Sequence, residues 1–121
     1  MKLRTAMIFA KDLDRLVAFY RDGLGLTLQT RSEGWAAFDT GGSSLALHAI
    51  PAAIAERIHI DQPPRAREDT PIKLIFESDD LAAARAHLSA HGAVMMPPRG
   101  ERSCDGLDPE GNVFQIVLCS N

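Results

Sequence analysis

No apolar run in this 121-residue chain approaches the ~20 residues that a membrane-crossing helix needs. Cysteine is scarce: only Cys104 and Cys119 occur, in no metal-type spacing, so a reduced pair of ordinary thiols is expected rather than a zinc module or a disulfide framework. There is no excess of positive charge either. Thirteen Lys and Arg against sixteen Asp and Glu give a net charge of −3, which argues against a nucleic-acid partner. Neither a glycine-rich phosphate loop nor a nucleophile elbow is present. Met1-Lys2-Leu3-Arg4 lacks an apolar signal core, so a cytoplasmic location and no membrane partner are expected.

What is present suits one soluble globular domain, with 45% hydrophobic and 24% charged residues. The most informative stretch is Asp108-Pro109-Glu110-Gly111-Asn112-Val113-Phe114-Gln115-Ile116-Val117-Leu118. Pro109 fixes φ to open a turn, and Gly111 can take the positive φ that closes it. Alternation then sends Phe114, Ile116 and Leu118 to one face of a strand and Gln115, Val117 and Cys119 to the other.

Two halves of the chain run through the same order of elements. In the first, Leu3–Ala10 alternates as a strand, Asp12 caps a helix, and Leu13, Leu16, Val17 and Tyr20 make one apolar stripe before Gly23 and Gly25. Strands at Leu26–Thr30, Trp35–Asp39 and Leu45–Ile50 follow. In the second, Ile72–Ser78 is a strand and Asp79 or Asp80 caps a helix with Leu81, Ala84 and Leu88 inside. Gly92 stops that helix, and strands follow at Ala93–Met96, roughly Glu101–Asp105 and Val113–Cys119. The offset varies by only one residue: Asp80 lies 68 residues after Asp12, Lys73 lies 68 after Thr5, and Gln115 lies 69 after Ala46. An internal duplication of β-α-β-β-β is the simplest account. The chain then divides into a module at 1–50, a linker at 51–71 and a module at 72–121. In the linker, Pro51 starts a helical turn or two, and the Pro-rich polar stretch 61–69 reads as a mobile surface connection.

The duplicated unit, the helix stretch Asp12-Leu13-Asp14-Arg15-Leu16-Val17-Ala18-Phe19-Tyr20-Arg21-Asp22-Gly23-Leu24-Gly25 and the terminal Asp108-Pro109-Glu110-Gly111-Asn112 resemble the vicinal oxygen chelate superfamily. That group includes glyoxalase I, extradiol dioxygenases, fosfomycin resistance enzymes and bleomycin-binding resistance proteins. The resemblance implies an α+β fold of two βαβββ modules, each a curled mixed sheet with its helix on the convex side. It also implies a homodimer. Metal ligands in such proteins come from the first and last strand of each module, and the matching positions here are Thr5, Ala46, Lys73 and Gln115. Alternation agrees with that placement, since Ala6, Ile8, Leu45, Leu47, Leu74, Phe76, Phe114 and Ile116 make the helix-facing core.

Those four side chains depart from the metalloenzyme pattern. Ala46 has no donor atom, Lys73 brings a cation to the place of a dication, Thr5 is a poor neutral ligand, and Gln115 offers one amide oxygen. No metal and no cofactor are therefore expected. His48, two positions beyond Ala46 on the same face, admits three readings: an adventitious ion ligand, a hydrogen-bonded structural histidine, or a polar ligand contact that could carry a proton. Lys73 likewise admits three: a snorkelling side chain, an anchor for an anionic group, or a Schiff-base amine. The remaining lining is apolar, with Met7, Phe9, Ile50, Ile75 and Val117, plus Trp35 or Phe38 and Met95 or Met96. Arg99, Glu101 and Arg102 read as a solvated loop, Cys104 as a residue near the mouth, and His59, His87 and His91 as surface side chains.

The leading expectation is a metal-independent protein that binds a small hydrophobic or anionic molecule through His48, Lys73, Gln115, Thr5, Trp35 and Phe9. The competing expectation is a divalent-metal-dependent lyase, isomerase or dioxygenase with a site reorganised around His48 and Gln115. A third is a subunit whose inward faces serve only as a dimer interface.

Overall fold

Asp12 and Asp80 start the two principal helices in the same way. Each has extended backbone, and its carboxylate accepts a hydrogen bond from the amide three residues on, Arg15 at 3.1 Å and Ala83 at 2.9 Å. One of the donors that a helix start leaves open is thereby satisfied. The computed structural model describes residues 2–67, 69 and 72–119. The chain divides into two units, Met1–His59 and Ile60–Asn121.

The first unit holds β1 (Thr5–Ala10), α1 (Leu13–Ala18), β2 (Thr27–Ser32), β3 (Trp35–Asp39), β4 (Ser44–Ala49) and the short α2 (Ala52–Ala55). Its sheet runs β1-β4-β3-β2, with β1 parallel to β4 and the other pairs antiparallel. The second unit repeats the plan with β5 (Leu74–Ser78), α3 (Leu81–Ala90), β6 (Val94–Met95), β7 (Ser103–Leu107) and β8 (Val113–Leu118), ordered β5-β8-β7-β6. The class is α+β with two mixed four-stranded sheets. The duplication extends to register: Met7 pairs with Ala46 and Ile75 with Gln115, offsets of 75 − 7 = 68 and 115 − 46 = 69.

The apolar stripe of α1 is buried as its spacing requires, and Tyr20 meets Phe38 with ring centroids 6.4 Å apart. The helix does not stay regular. Phe19–Gly23 is a π-helical turn, closed by the Leu24 amide donating to Phe19 O at 3.1 Å. The wider turn brings Phe19 inside as well as Tyr20, where a 3.6-residue stripe places only Tyr20. In the second unit only Leu88 of α3 is fully buried, and Arg85 donates to the Met96 carbonyl, tying α3 to the end of β6.

The terminal turn is built around Asp108. Its buried carboxylate accepts from the amides of Glu110 and Asn112, both at 2.9 Å, and from Asn112 Nδ2 at 2.8 Å. Gly111 has φ +85°, and a Cβ there would come within 2.0 Å of Arg65 O. The Arg67 amide donates to Gly111 O at 3.0 Å. The stretch read as a mobile connection thus docks its 65–67 part on the turn, because Gly111 leaves the backbones room to touch. Glu68 of that stretch, and Thr70 and Pro71 at the end of the 51–71 linker, lie outside the described residues.

Two further expectations are corrected. The strand placed at Glu101–Asp105 runs instead from Ser103 to Leu107. Cys104, expected near the mouth, pairs in register with Ile116 and is fully buried on the core face. Both cysteines are free thiols.

Candidate functional site

Each sheet has one face under its helix and one face turned away, and the candidate residues fall on the second. In the first unit Phe9, His48 and Trp35 lie side by side across β1, β4 and β3. Alternation puts them opposite the face of Leu45, Leu47 and Phe38. The rings meet edge on, with centroids 5.8 Å apart for Phe9–His48 and 5.9 Å for Trp35–His48. The ambiguity between Trp35 and Phe38 is thereby resolved. Trp35 joins His48, and Phe38 packs with Tyr20 in the core. Phe9 is 53% exposed and Met7 42%, so this row offers apolar edges around one imidazole.

The His48 ring is oriented by its own strand. Nδ1 lies 2.8 Å from Ala49 O. A carbonyl can only accept, so in the neutral ring Nδ1 carries the hydrogen and Nε2 keeps the lone pair. Further down the same face, Thr5 Oγ1 is 2.8 Å from Ser44 Oγ, so its hydroxyl is engaged within the sheet. Ala46 pairs with Met7 and is fully buried.

In the second unit Ile75, Gln115 and Asp105 form a row across β5, β8 and β7, matching Met7 and Ala46 of the first unit. Lys73, two residues before Ile75, has the same parity. Its Nζ donates to Asp105 Oδ2 at 3.0 Å, and Arg99 Nη2 approaches that oxygen at 3.2 Å. Arg99 is therefore held by a carboxylate rather than being only a solvated loop residue. Met96 N–H donates to Asp105 O, which continues the ladder and places Met96 on this face. Met95 lies over Gly106 beside Phe114, on the core side.

Asp105 is the residue that sequence reasoning missed. The available signal was an acidic residue between Cys104 and Gly106 in a strand of small and apolar residues. Its partner, Lys73, lies 32 positions away and could not be named without the register.

The donor set does not suit a divalent cation. Of the four positions, Ala46 has no donor, Thr5 is bonded to Ser44, and Lys73 is a cation held in an ion pair. Gln115 contributes one neutral oxygen, whereas such ions take several anionic or imidazole donors. Among the described residues no three His, Cys, Asp or Glu side chains gather where they could hold an ion.

Among solved structures, the chain is similar to a glyoxalase/bleomycin resistance protein/dioxygenase family enzyme from Burkholderia phytofirmans, at 24% identity and a TM-score of 0.78 over 98% of both chains. It is similar to a lactoylglutathione lyase from Agrobacterium tumefaciens, at 24% identity and 0.67, over 97% of this chain and 92% of that one. It is also similar to an antibiotic binding protein from a Streptomyces species, at 20% identity and 0.67, over 99% and 97%. These likenesses concern the fold. No curated protein matches the sequence closely enough to count as a relative. The family model for the Glyoxalase/Bleomycin resistance protein/Dioxygenase superfamily matches residues 2–116, and the chain belongs to that superfamily.

Proposed function

We propose that this protein binds a small hydrophobic or anionic molecule on the helix-free faces of its sheets without a metal ion. The observation that carries the reading is Lys73. At a position where the superfamily resemblance implies a metal ligand, this chain has an ammonium group bonded to Asp105 at 3.0 Å. A cation fixed there repels a dication and attracts an anion. The first sheet supports the reading differently, offering exposed Phe9, half-buried Trp35 and a His48 Nε2 that has no partner among the described residues. Apolar walls with a few polar handles are the usual form of a small-molecule site. Thr5 and Gln115 complete the contacts we assign.

The same reading includes a homodimer in a reducing, cytoplasmic setting. The first and fifth strands are sheet edges that carry exposed Phe9 and Ile75, which an isolated chain leaves in water. The free thiols Cys104 and Cys119 fit a reducing compartment.

Metal analysis of protein purified without a histidine tag tests the central claim. The expected result is far less than one ion per chain, with thermal stability unchanged by a chelator and raised by aromatic carboxylates. A stoichiometric ion lost on His48→Ala or Gln115→Ala overturns it in favour of a metal-dependent enzyme.

A further inference from the structure

On the helix-free face of the second sheet, one side-chain acceptor of Asp105 is left without a partner among the described residues. Both cations, Lys73 and Arg99, converge on Oδ2. Oδ1 is buried and has no hydrogen-bond partner among the described residues, in a side chain only 10% exposed. A carboxylate oxygen removed from water without a donor is unfavourable, and it is an acceptor waiting to be filled. Beside it, two cations against one carboxylate leave a net charge of 2 − 1 = +1. Gln115 stands directly across the ladder, with no side-chain partner among the described residues.

We infer that this cluster selects a small carboxylate bearing a hydroxyl on the adjacent carbon, a 2-hydroxy acid. The inference rests on the metal-free binding reading and narrows its ligand. The ligand carboxylate accepts from Lys73 and Arg99, and its hydroxyl donates to Asp105 Oδ1. The two oxygens of Asp105 are bonded to one carbon, so the ligand's donor must lie close to its own anionic group. A plain carboxylate would bring only lone pairs to Oδ1. An ammonium group would face two cations.

Calorimetric titration of the whole protein with mandelate, phenylacetate and O-methylmandelate tests this, because the last two lack the donor. Mandelate is expected to bind about tenfold more tightly than either, the ratio expected of one hydrogen bond to a charged, buried acceptor. In Asp105→Ala the preference shrinks to about twofold or less. Phenylacetate then binds more tightly than to the wild type, since the remaining cations are no longer offset. Should Asp105→Ala fail to fold, the wild-type ranking decides alone. Equal affinity for all three acids, lost in Lys73→Met, overturns the hydroxy-acid inference and leaves the anion-binding reading standing. No binding of any of them overturns both.

Discussion

At the scale of single residues, two glycines show how little freedom the backbone has near β8. Gly111 combines a φ of +85° with a phantom Cβ contact of 2.0 Å to Arg65 O. Gly111→Ala should therefore destabilise by about 2–4 kcal/mol, from left-handed backbone plus overpacking, as read by urea denaturation. Gly106 has ordinary φ, but a Cβ would meet Met95 Sδ at 2.7 Å and Phe114 Cζ at 2.8 Å. Gly106→Ala should cost about 1–3 kcal/mol, and adding Met95→Ala should recover part of the loss because the flexible neighbour is gone. The Asp108 turn was legible in the sequence, since Asp, Pro, Gly and Asn each have a local reason to be there. The clash at Gly106 was not, because it depends on which strands lie beside it.

At the scale of elements, caps and the α1 stripe were readable, whereas the α3 stripe kept only Leu88 fully buried and strand ends were not readable. α1 starts where Asp12 places it, and of the two candidates Asp79 and Asp80 it is Asp80 that caps α3. Asp80→Ala should cost about 1 kcal/mol, with faster amide exchange in the first turn of α3, because Ala83 N–H loses its acceptor. The π-helical turn at Phe19–Gly23 left no trace in the apolar spacing, since a local widening changes burial without changing residue type. β7 slipped by two residues for a related reason. Cys104, Asp105 and Gly106 give little alternation, and only pairing with β8 fixes their ends. The 65–67 stretch looked like a connection because its residues are polar and Pro-rich. Its anchor is main chain to main chain, at Arg67 N and Gly111 O, and side-chain composition does not encode that.

At the scale of the whole molecule, the two units share strand order and register through an offset of 68 to 69 residues. Ile75, 59% exposed on a sheet edge, tests the proposed dimer. Ile75→Glu should change the stability of an isolated chain by about 0.5 kcal/mol or less, as exposed substitutions usually do. If the edge is a subunit contact, light scattering after size exclusion should show a shift from dimer to monomer, and Tm should lose its dependence on protein concentration.

The sequence by itself determined the duplication, the capped helices, the terminal turn, and the parity that puts Thr5, Ala46, Lys73 and Gln115 on the strand face opposite the helix-facing residues. Each of these follows from spacing along one segment, where geometry repeats every two or 3.6 residues. Only the tertiary structure decided that Trp35 stands beside His48, that Cys104 is in the core, and that Asp105 faces Gln115 and receives Lys73. Those facts depend on register between strands far apart in the chain, and alternation fixes the face a side chain takes without fixing its neighbour.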